Sequence, residues 1–484
     1  MGFKIVLLWT DVLIFLLLAV IGLFVWVVRG REHLRAPWRK VAQSRSGMIA
    51  AVVLAGFVII GLLDSLHFRL RLPDAGDKEN YAVEVLSVFD LLAVPLKAKT
   101  EKTYSAPLGT HLFARETVEL PGGGQARVFP RLAHGGIHLA DPHADWAADI
   151  FRRVVAGLAV AALCWNLLSL GLCAWLAHIY RRSIGETWRL IWSAQTPVPW
   201  RAMLLTLGVL MMAIIPLLAL AAKYHVFGTD KVGIDVLYLT LKSIRTGLVI
   251  GTLTTLVMLP FAVALGIMAG YLRGWVDDLI QYIYTTLHSI PGVLLIAASV
   301  LMMQVTMDKH AALFETAQQR ADIKLLVLCL ILGVTSWTGL CRLLRGEALK
   351  LREADYIQAA RAFGVGNLRI MIRHIVPNVM HIVLIAVVMD FSGLVLAEAV
   401  LSYIGVGVDP AMISFGTMIN SARLEMAREP MVWWSLAAAF TFMLVLVLAA
   451  NLFADAVRDA FDPRILSRVI KPIPNLAAGR EVRA

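Results

Sequence analysis

The residues best suited to hold a metal ion are four histidines, His111, His134, His138 and His143, gathered in one polar stretch. Their spacings match no standard site, and the expectation is solvated loop histidines. Cys164, Cys173, Cys329 and Cys341 lie within or at the end of apolar runs, without CxxC spacing or nearby histidines, and read as small apolar filler. There is no GxxxxGK[ST] to cradle ATP phosphates, and no HExxH, GxSxG or paired-carboxylate pattern for bond-making chemistry. The sequence therefore assigns no catalytic residue, no metal site and no cofactor to this chain, which reads as a non-enzyme. What remains is a pair of acids in apolar surroundings, Asp390 and Glu398, with Ser402 and Tyr403 just beyond. A polar group in lipid is costly and faces a bundle interior. These four residues suit the lining of a translocation path or the bracing of an outer gate. A solvated place near the outer surface fits Glu398 equally.

The composition says what must position them. Of 484 residues, 59% are hydrophobic and only 16% charged, against roughly a quarter charged in ordinary soluble domains. The chain is a multi-pass membrane protein. Its net charge of +11 would suggest nucleic acid in a soluble protein, but the basic residues cluster beside apolar runs, as the positive-inside bias requires. No basic module with interleaved aromatics stands apart from them, which excludes nucleic acid as a partner.

A bilayer core of about 30 Å needs roughly 20 apolar residues in a helix. On that ruler the chain holds nine spans, near Ile5–Val28, Gly47–Ser65, Ile150–Ile179, Ala202–Ala222, Thr246–Tyr271, Leu279–Val305, Ile323–Leu344, Ile375–Leu401 and Val432–Phe453. The expected class is an all-α polytopic membrane protein with a small outer insert. The first run is too long for a signal peptide and reads as a retained helix. Arg29, Arg31, Arg35, Arg39, Lys40 and Arg45 place the first connection in the cytoplasm and the N-terminus outside. Asp11 is then expected to face the bundle or the outer surface. In the outer segment, Thr117–Leu120 and Ala126–Phe129 flank Pro121-Gly122-Gly123-Gly124, a hairpin signal. Gly247–Gly251 and Gly266–Gly270 allow close helix packing.

Between two apolar runs lies the longest polar helix-forming segment, Glu347 to Asn378. Leu349 to Phe363 has no interior Gly or Pro and reads as one helix. Gly364 is placed for a C-terminal cap with positive φ. Asn367 is placed to cap a second helix, Leu368 to Ile375, which Pro377 brings toward the membrane. Ala359, Ala360 and Gly364 leave little bulk on one side, while Tyr356 and Phe363 are rigid apolar anchors of the kind that dominate interfaces. An amphipathic loop resting on lipid is the plainer alternative.

Gln358-Ala359-Ala360, Gly364, Ile375 and Pro377 resemble the EAA loop of ABC importer permeases, and YIQAARAFG with RHIVPN is similar to the dipeptide, oligopeptide and nickel subfamily. GTDKVGIDVL (Gly228 to Leu237), AGYLRGWVDD (Ala269 to Asp278), SIPGVLL (Ser289 to Leu295), EAVLSYIGVGV (Glu398 to Val408) and NLFADAVRDAFDPR (Asn451 to Arg464) resemble that subfamily's segments in the same order. Together they cover Phe227 to Arg464 almost continuously. Departures are Gln358 for the usual Glu, Ile234 for Arg, Tyr282 and Thr285 for Arg and Asp, Phe415 for Trp, and a Pro-Gly pair absent near Ser435-Leu436. Ala36 to Asp64 resembles the family's first span. APLGTH (Ala106 to His111) resembles the start of its outer segment, which breaks off and resumes at Phe227.

The resemblance implies a division into an extra N-terminal helix and basic loop (1–46), a family-like first span (47–68), a periplasmic insert (69–149), an inserted helix pair (150–226), a permease core with five spans (227–464) and a cytoplasmic tail (465–484). It implies a permease subunit of an ATP-driven importer in the bacterial inner membrane, carrying peptides or related small solutes. The implied partners are ABC ATPase subunits, which hold the ATP and Mg, a second homologous permease and a periplasmic solute-binding protein. Asp355, Tyr356, Gln358, Ala359, Ala360, Phe363, Gly364, His374 and Pro377 would make the ATPase-coupling surface. Two rival classes are a proton-coupled secondary transporter, which would use the intramembrane acids as a relay, and a membrane sensor or assembly protein, which would bind a ligand through the insert.

Overall fold

The computed structural model describes residues 3–30, 32–71, 81–82, 84–119, 125–310 and 316–461. The glycine turn at 121–124 and the tail at 465–484 lie outside the described residues. The chain is an all-α polytopic membrane protein with two small sheets at its outer end. Strand β1 (Phe3–Val6) leads into α1 (Trp9–Arg29), α2 (Glu32–Gln43) and α3 (Arg45–Asp64), and the chain returns as β2 (His67–Leu70) antiparallel to β1. Entry and exit of this unit thus lie on one face, the outer face by the charge rule. Lys4 rests over the Tyr81 ring there, 5.6 Å from its centre.

In the outer segment, β3 (Leu86–Ser87) completes the first sheet, and α4 (Val88–Leu92) and α5 (Val94–Lys97) follow. Strands β4 (Glu116–Glu119) and β5 (Gln125–Val128) form the expected hairpin. Next come α6 (Pro142–Tyr180), the amphipathic α7 (Ile184–Trp192) and α8 (Trp200–Ala221). Helices α6 and α8 pack mainly on each other, with Gly157 of α6 against Pro216 of α8, and α8 leans on α3.

The core begins with α9 (Val236–Leu272), capped by Asp235, whose carboxylate accepts from the amides of Leu237 at 2.8 Å and Tyr238 at 3.4 Å. Then follow α10 (Trp275–Ser289), α11 (Gly292–Lys309), α12 (Ala317–Ser336), α13 (Thr338–Arg352), α14 (Asp355–Ala362), α15 (Asn367–Ile370), a π turn at Met371–Ile375, α16 (Val376–Ile404), α17 (Phe415–Glu425) and α18 (Trp434–Phe461). Helix α9 is the hub, packing on α3, α10, α12, α13 and α16.

Seven described helices are individually long and apolar enough to cross a membrane, or eight if α12 and α13, bent by 40°, form one span. The apolar part of α1, Trp9–Leu23, is shorter than that measure. Three expectations are corrected. The run Leu279–Val305 is not one helix: Ile290 is extended and Pro291 removes an amide, so the chain breaks into α10 and α11. The run Leu349–Phe363 is divided at Glu353-Ala354, where Ala354 turns extended ahead of α14. Asn367 does not cap; Gly366 occupies that position, and the Asn367 side chain accepts from the Tyr271 hydroxyl at 3.2 Å.

Candidate coupling surface and gate

The predicted coupling residues come together where α13 hands the chain to α14. Helix α13 lies tight against α9 because Gly266 and Gly270 face it. A Cβ on Gly266 would sit 2.8 Å from the Cys341 carbonyl, and one on Gly270 would sit 2.6 Å from the Arg345 carbonyl. The inner end of α13 is fixed sideways by a two-pronged ion pair, Arg345 Nε and Nη2 donating to Asp277 of α10 at 2.7 and 2.8 Å. Arg273 also reaches Glu353 at 3.3 Å. Neither pair was singled out from sequence; Arg345 and Asp277 both lie at the ends of apolar runs, the one available signal.

Helix α14 is pinned by Ile357, 1% exposed, in one apolar cluster with Leu344, Ala348, Ile370 and Ile375. Its opposite side is open. Asp355, Gln358 and Ala359 are exposed, Ala360 is half-buried, Tyr356 is 45% exposed and Phe363 is 87% exposed. Gly364 has φ +78° and ends the helix as expected. Gln358 Nε2 donates to the Glu353 carbonyl at 3.2 Å. His374 sits in the π turn with its ring 6.4 Å from Tyr356, and Asn378 Nδ2 donates to the Tyr356 hydroxyl at 3.0 Å. Pro377 takes the second position of α16. Beside α14 opens a cavity of about 380 Å³ lined by Tyr271, Arg352, Glu353, Gln358 and Arg361. The arrangement is a short exposed helix, bearing two aromatic rings, rigidly joined to the membrane core.

At the opposite end Glu398 is buried, not solvated. One of its oxygens accepts from both Ser402 Oγ at 2.7 Å and Ser414 Oγ at 2.8 Å, tying α16 to the loop before α17. Lys324 of α12 donates to Asp409 of the same loop at 2.6 Å. Tyr403 is exposed and carries the Arg423 guanidinium over its ring, 4.9 Å from the centre. Asp390 is half-buried on α16 and stands apart from this knot.

A second knot belongs to the N-terminus. Arg245 of α9 donates to Asp11 at 2.6 Å and to Thr10 at 3.1 Å. His67 bonds Asp11 at 2.7 Å, and Thr10 donates to Asp322 of α12. Asp11 therefore faces the bundle. Three of the four histidines of the outer segment are likewise partnered: His138 bonds Asp149 at 2.8 Å, and His111 stacks on His143. Among the described residues no three His, Cys, Asp or Glu are placed to hold a metal.

Five spans, α9, α11, the bent α12–α13 pair, α16 and α18, with an exposed helical hook between α13 and α16, make a membrane domain of the transporter type. Residues 262–467 match the family described as binding-protein-dependent transport system inner membrane component. The chain is 32% identical over 239 residues to the oligopeptide transport system permease protein of Mycobacterium tuberculosis, covering 49% of this chain and 76% of the relative. It is 33% identical over 245 residues to the glutathione transport system permease protein of Pectobacterium atrosepticum, covering 50% and 74%. It is 29% identical over 240 residues to the dipeptide transport system permease protein of Lactococcus lactis, covering 50% and 64%. The chain belongs to the binding-protein-dependent transport system inner membrane component family. It is a multi-pass inner-membrane permease subunit of an ABC importer.

Proposed function

We propose that this permease carries peptides or related small solutes, and that separate ABC ATPases drive it by gripping α14 and α15. The observation that carries the coupling assignment is mechanical. Phe363 and Tyr356 stand exposed at a helix whose other face is seated, through Ile357, against Leu344 and Ala348 of the bent α12–α13 span, which the Arg345–Asp277 pair holds in turn to α10. A displacement of α14 is thereby passed to α12 rather than absorbed in a loop. Asp355, Gln358, Ala359, Ala360, Gly364, His374 and Pro377 shape the gripped surface. ATP and Mg reside on the ATPases, and this chain supplies no hydrolytic group. The solutes for which these relatives are named, oligopeptides, dipeptides and glutathione, support the solute class. A second permease completes the pathway and a solute-binding protein delivers at the outer face. Glu398 and Ser402 brace the outer gate, while Asp390 and Tyr403 are assigned to the path.

The division of the chain follows the same reading: a core at 227–464, a family-like first span at 47–68, and additions at 1–46, 69–149 and 150–226, with a tail at 465–484. Backbone pairing supports the additions. Leu108 N donates to the His225 carbonyl at 2.9 Å and Thr229 N to the Ser105 carbonyl at 3.2 Å, so the two ends of the intervening segment lie side by side. An insertion whose ends meet costs the host fold little.

Copurification tests the assignment. The wild-type chain is expected to retain an ATPase pair, and Gly364→Asp or Ala360→Asp to lose it with at least tenfold less uptake at equal membrane abundance. Full uptake by both variants overturns the coupling role. Uptake that survives ATP depletion favours a proton-coupled transporter instead.

A further inference from the structure

Helix α1 is fastened to the bundle at its two ends and stands off between them. At the outer end the β1–β2 pairing and the Thr10–Asp322 and Asp11–Arg245 contacts hold it. At the inner end the chain turns into α2, whose Trp38 and Val41 pack against α18. Every described side chain from Leu18 to Arg29 is exposed. The gap left behind is a cavity of about 440 Å³, walled by Ile21 of α1, Val58 of α3, Leu248 and Leu259 of α9, Val388 of α16 and Phe453 of α18.

The lining says what fits. Among the described residues lining it, the polar side chains are Thr252 and Thr255, which turn their hydroxyls back onto the Leu248 and Gly251 carbonyls at 2.7 Å, so neither is offered to a ligand. Water and peptide are both excluded by such a wall, and an empty gap would forfeit dispersion contacts on every side. From Leu248 to Leu259 the groove runs about 16 Å along α9, the depth of one leaflet. Val388 and Phe453 also pack with Trp38 and Val41, which places the inner mouth beside α2. There Arg29, Arg35 and Arg45 are exposed and Lys40 half-buried; the described acids in the last turns of α18, Asp455 and Asp459, are exposed.

We infer that the groove holds one acyl chain of an anionic phospholipid from the inner leaflet, with its headgroup on the basic α2 segment. The lipid is a structural ligand that completes the packing of α1 on the core. Charge selects the headgroup, since each surface Lys or Arg adds attraction to anionic lipid, while the groove selects only for length and apolarity.

The test uses the intact transporter, reconstituted in equal phosphatidylglycerol and phosphatidylcholine and examined by native mass spectrometry. The wild type is expected to keep one phosphatidylglycerol per chain through delipidation. Arg35→Gln with Lys40→Gln should lower the preference over phosphatidylcholine on the order of tenfold, with the complex still assembled. Thr252→Phe, which fills the groove, should lose the retained lipid of either headgroup. Retention of no lipid by the wild type overturns the inference, as does equal retention of both lipids. A bifunctional cross-link from Val58→Cys to a second permease subunit would also overturn it, because a protein helix would then fill the gap.

Discussion

Glu398 accepts two hydroxyl hydrogens on a single oxygen while 1% exposed. Its geometry, rather than a charge partner, is what the surrounding structure uses. Glu398→Gln keeps an oxygen able to accept both serines and is expected to leave stability near wild type. Glu398→Ala orphans two buried hydroxyls at about 1–3 kcal/mol. Thermal unfolding of the purified complex checks this, and equal midpoints for the two variants would remove Glu398 from the brace. The Arg345–Asp277 pair is the reverse case, since both its hydrogen bonds depend on a planar guanidinium. Arg345→Lys should halve the contact and reduce ATP-driven uptake severalfold while the ATPases stay bound. Wild-type uptake in that variant would mean that α10 does not steer α13.

Among the elements, α9 and α13 cross at close range. Gly266 and Gly270 bring the two backbones close enough that one added methyl group meets a carbonyl. Gly270→Val is expected to cost about 1–3 kcal/mol by overpacking and to weaken transport before it weakens insertion. Gly56, where an added Cβ meets nothing within 4 Å, is the control. Equal melting points for Gly270→Val and Gly56→Val would place the crossing elsewhere. The glycine spacing was legible in the sequence, but not the identity of the facing helix. The helix breaks were not legible: the apolar run Leu279–Val305 reads as one span across Pro291, and the kink at Glu353-Ala354 follows from seating Ile357 in the core, a long-range contact that local propensity does not carry.

Across the whole molecule, a buried joint ties residues 101–135 of the outer segment to the start of α9. His225 bonds Asp235, the cap of α9, at 2.8 Å and Glu101 at 3.3 Å, and Glu101 accepts from the amides of Ala133, His134 and Gly135. Burial works against charge on His225, but the Asp235 and Glu101 carboxylates outweigh it and raise its pKa from 6.5 to about 9. Burial works against Glu101 as well, and hydrogen bonds from His225 and the three amides bring it down from 4.5 to about 2. The raised His225 value contributes stability fully present below pH 6.5 and lost as pH rises through about 9. The lowered Glu101 value contributes stability present above pH 4.5 and lost as pH falls toward 2. Melting temperature should therefore decline between pH 7 and 9.5 in the wild type, and this slope should shrink in His225→Gln. Identical slopes would show that the joint does not titrate as a unit.

The sequence by itself determined the membrane class and the family, because apolar run length and segment order are local quantities that survive without coordinates. It also located Gly364 and the insert's hairpin. Tertiary structure alone decided who meets whom: that Asp11 pairs with Arg245, that Glu398 accepts from Ser414, that Leu108 returns to His225, and that α1 stands off the core between its two fastened ends. Those partners lie from 16 to 234 residues apart, and only the packing of helices around α9 sets which buried polar group finds which partner.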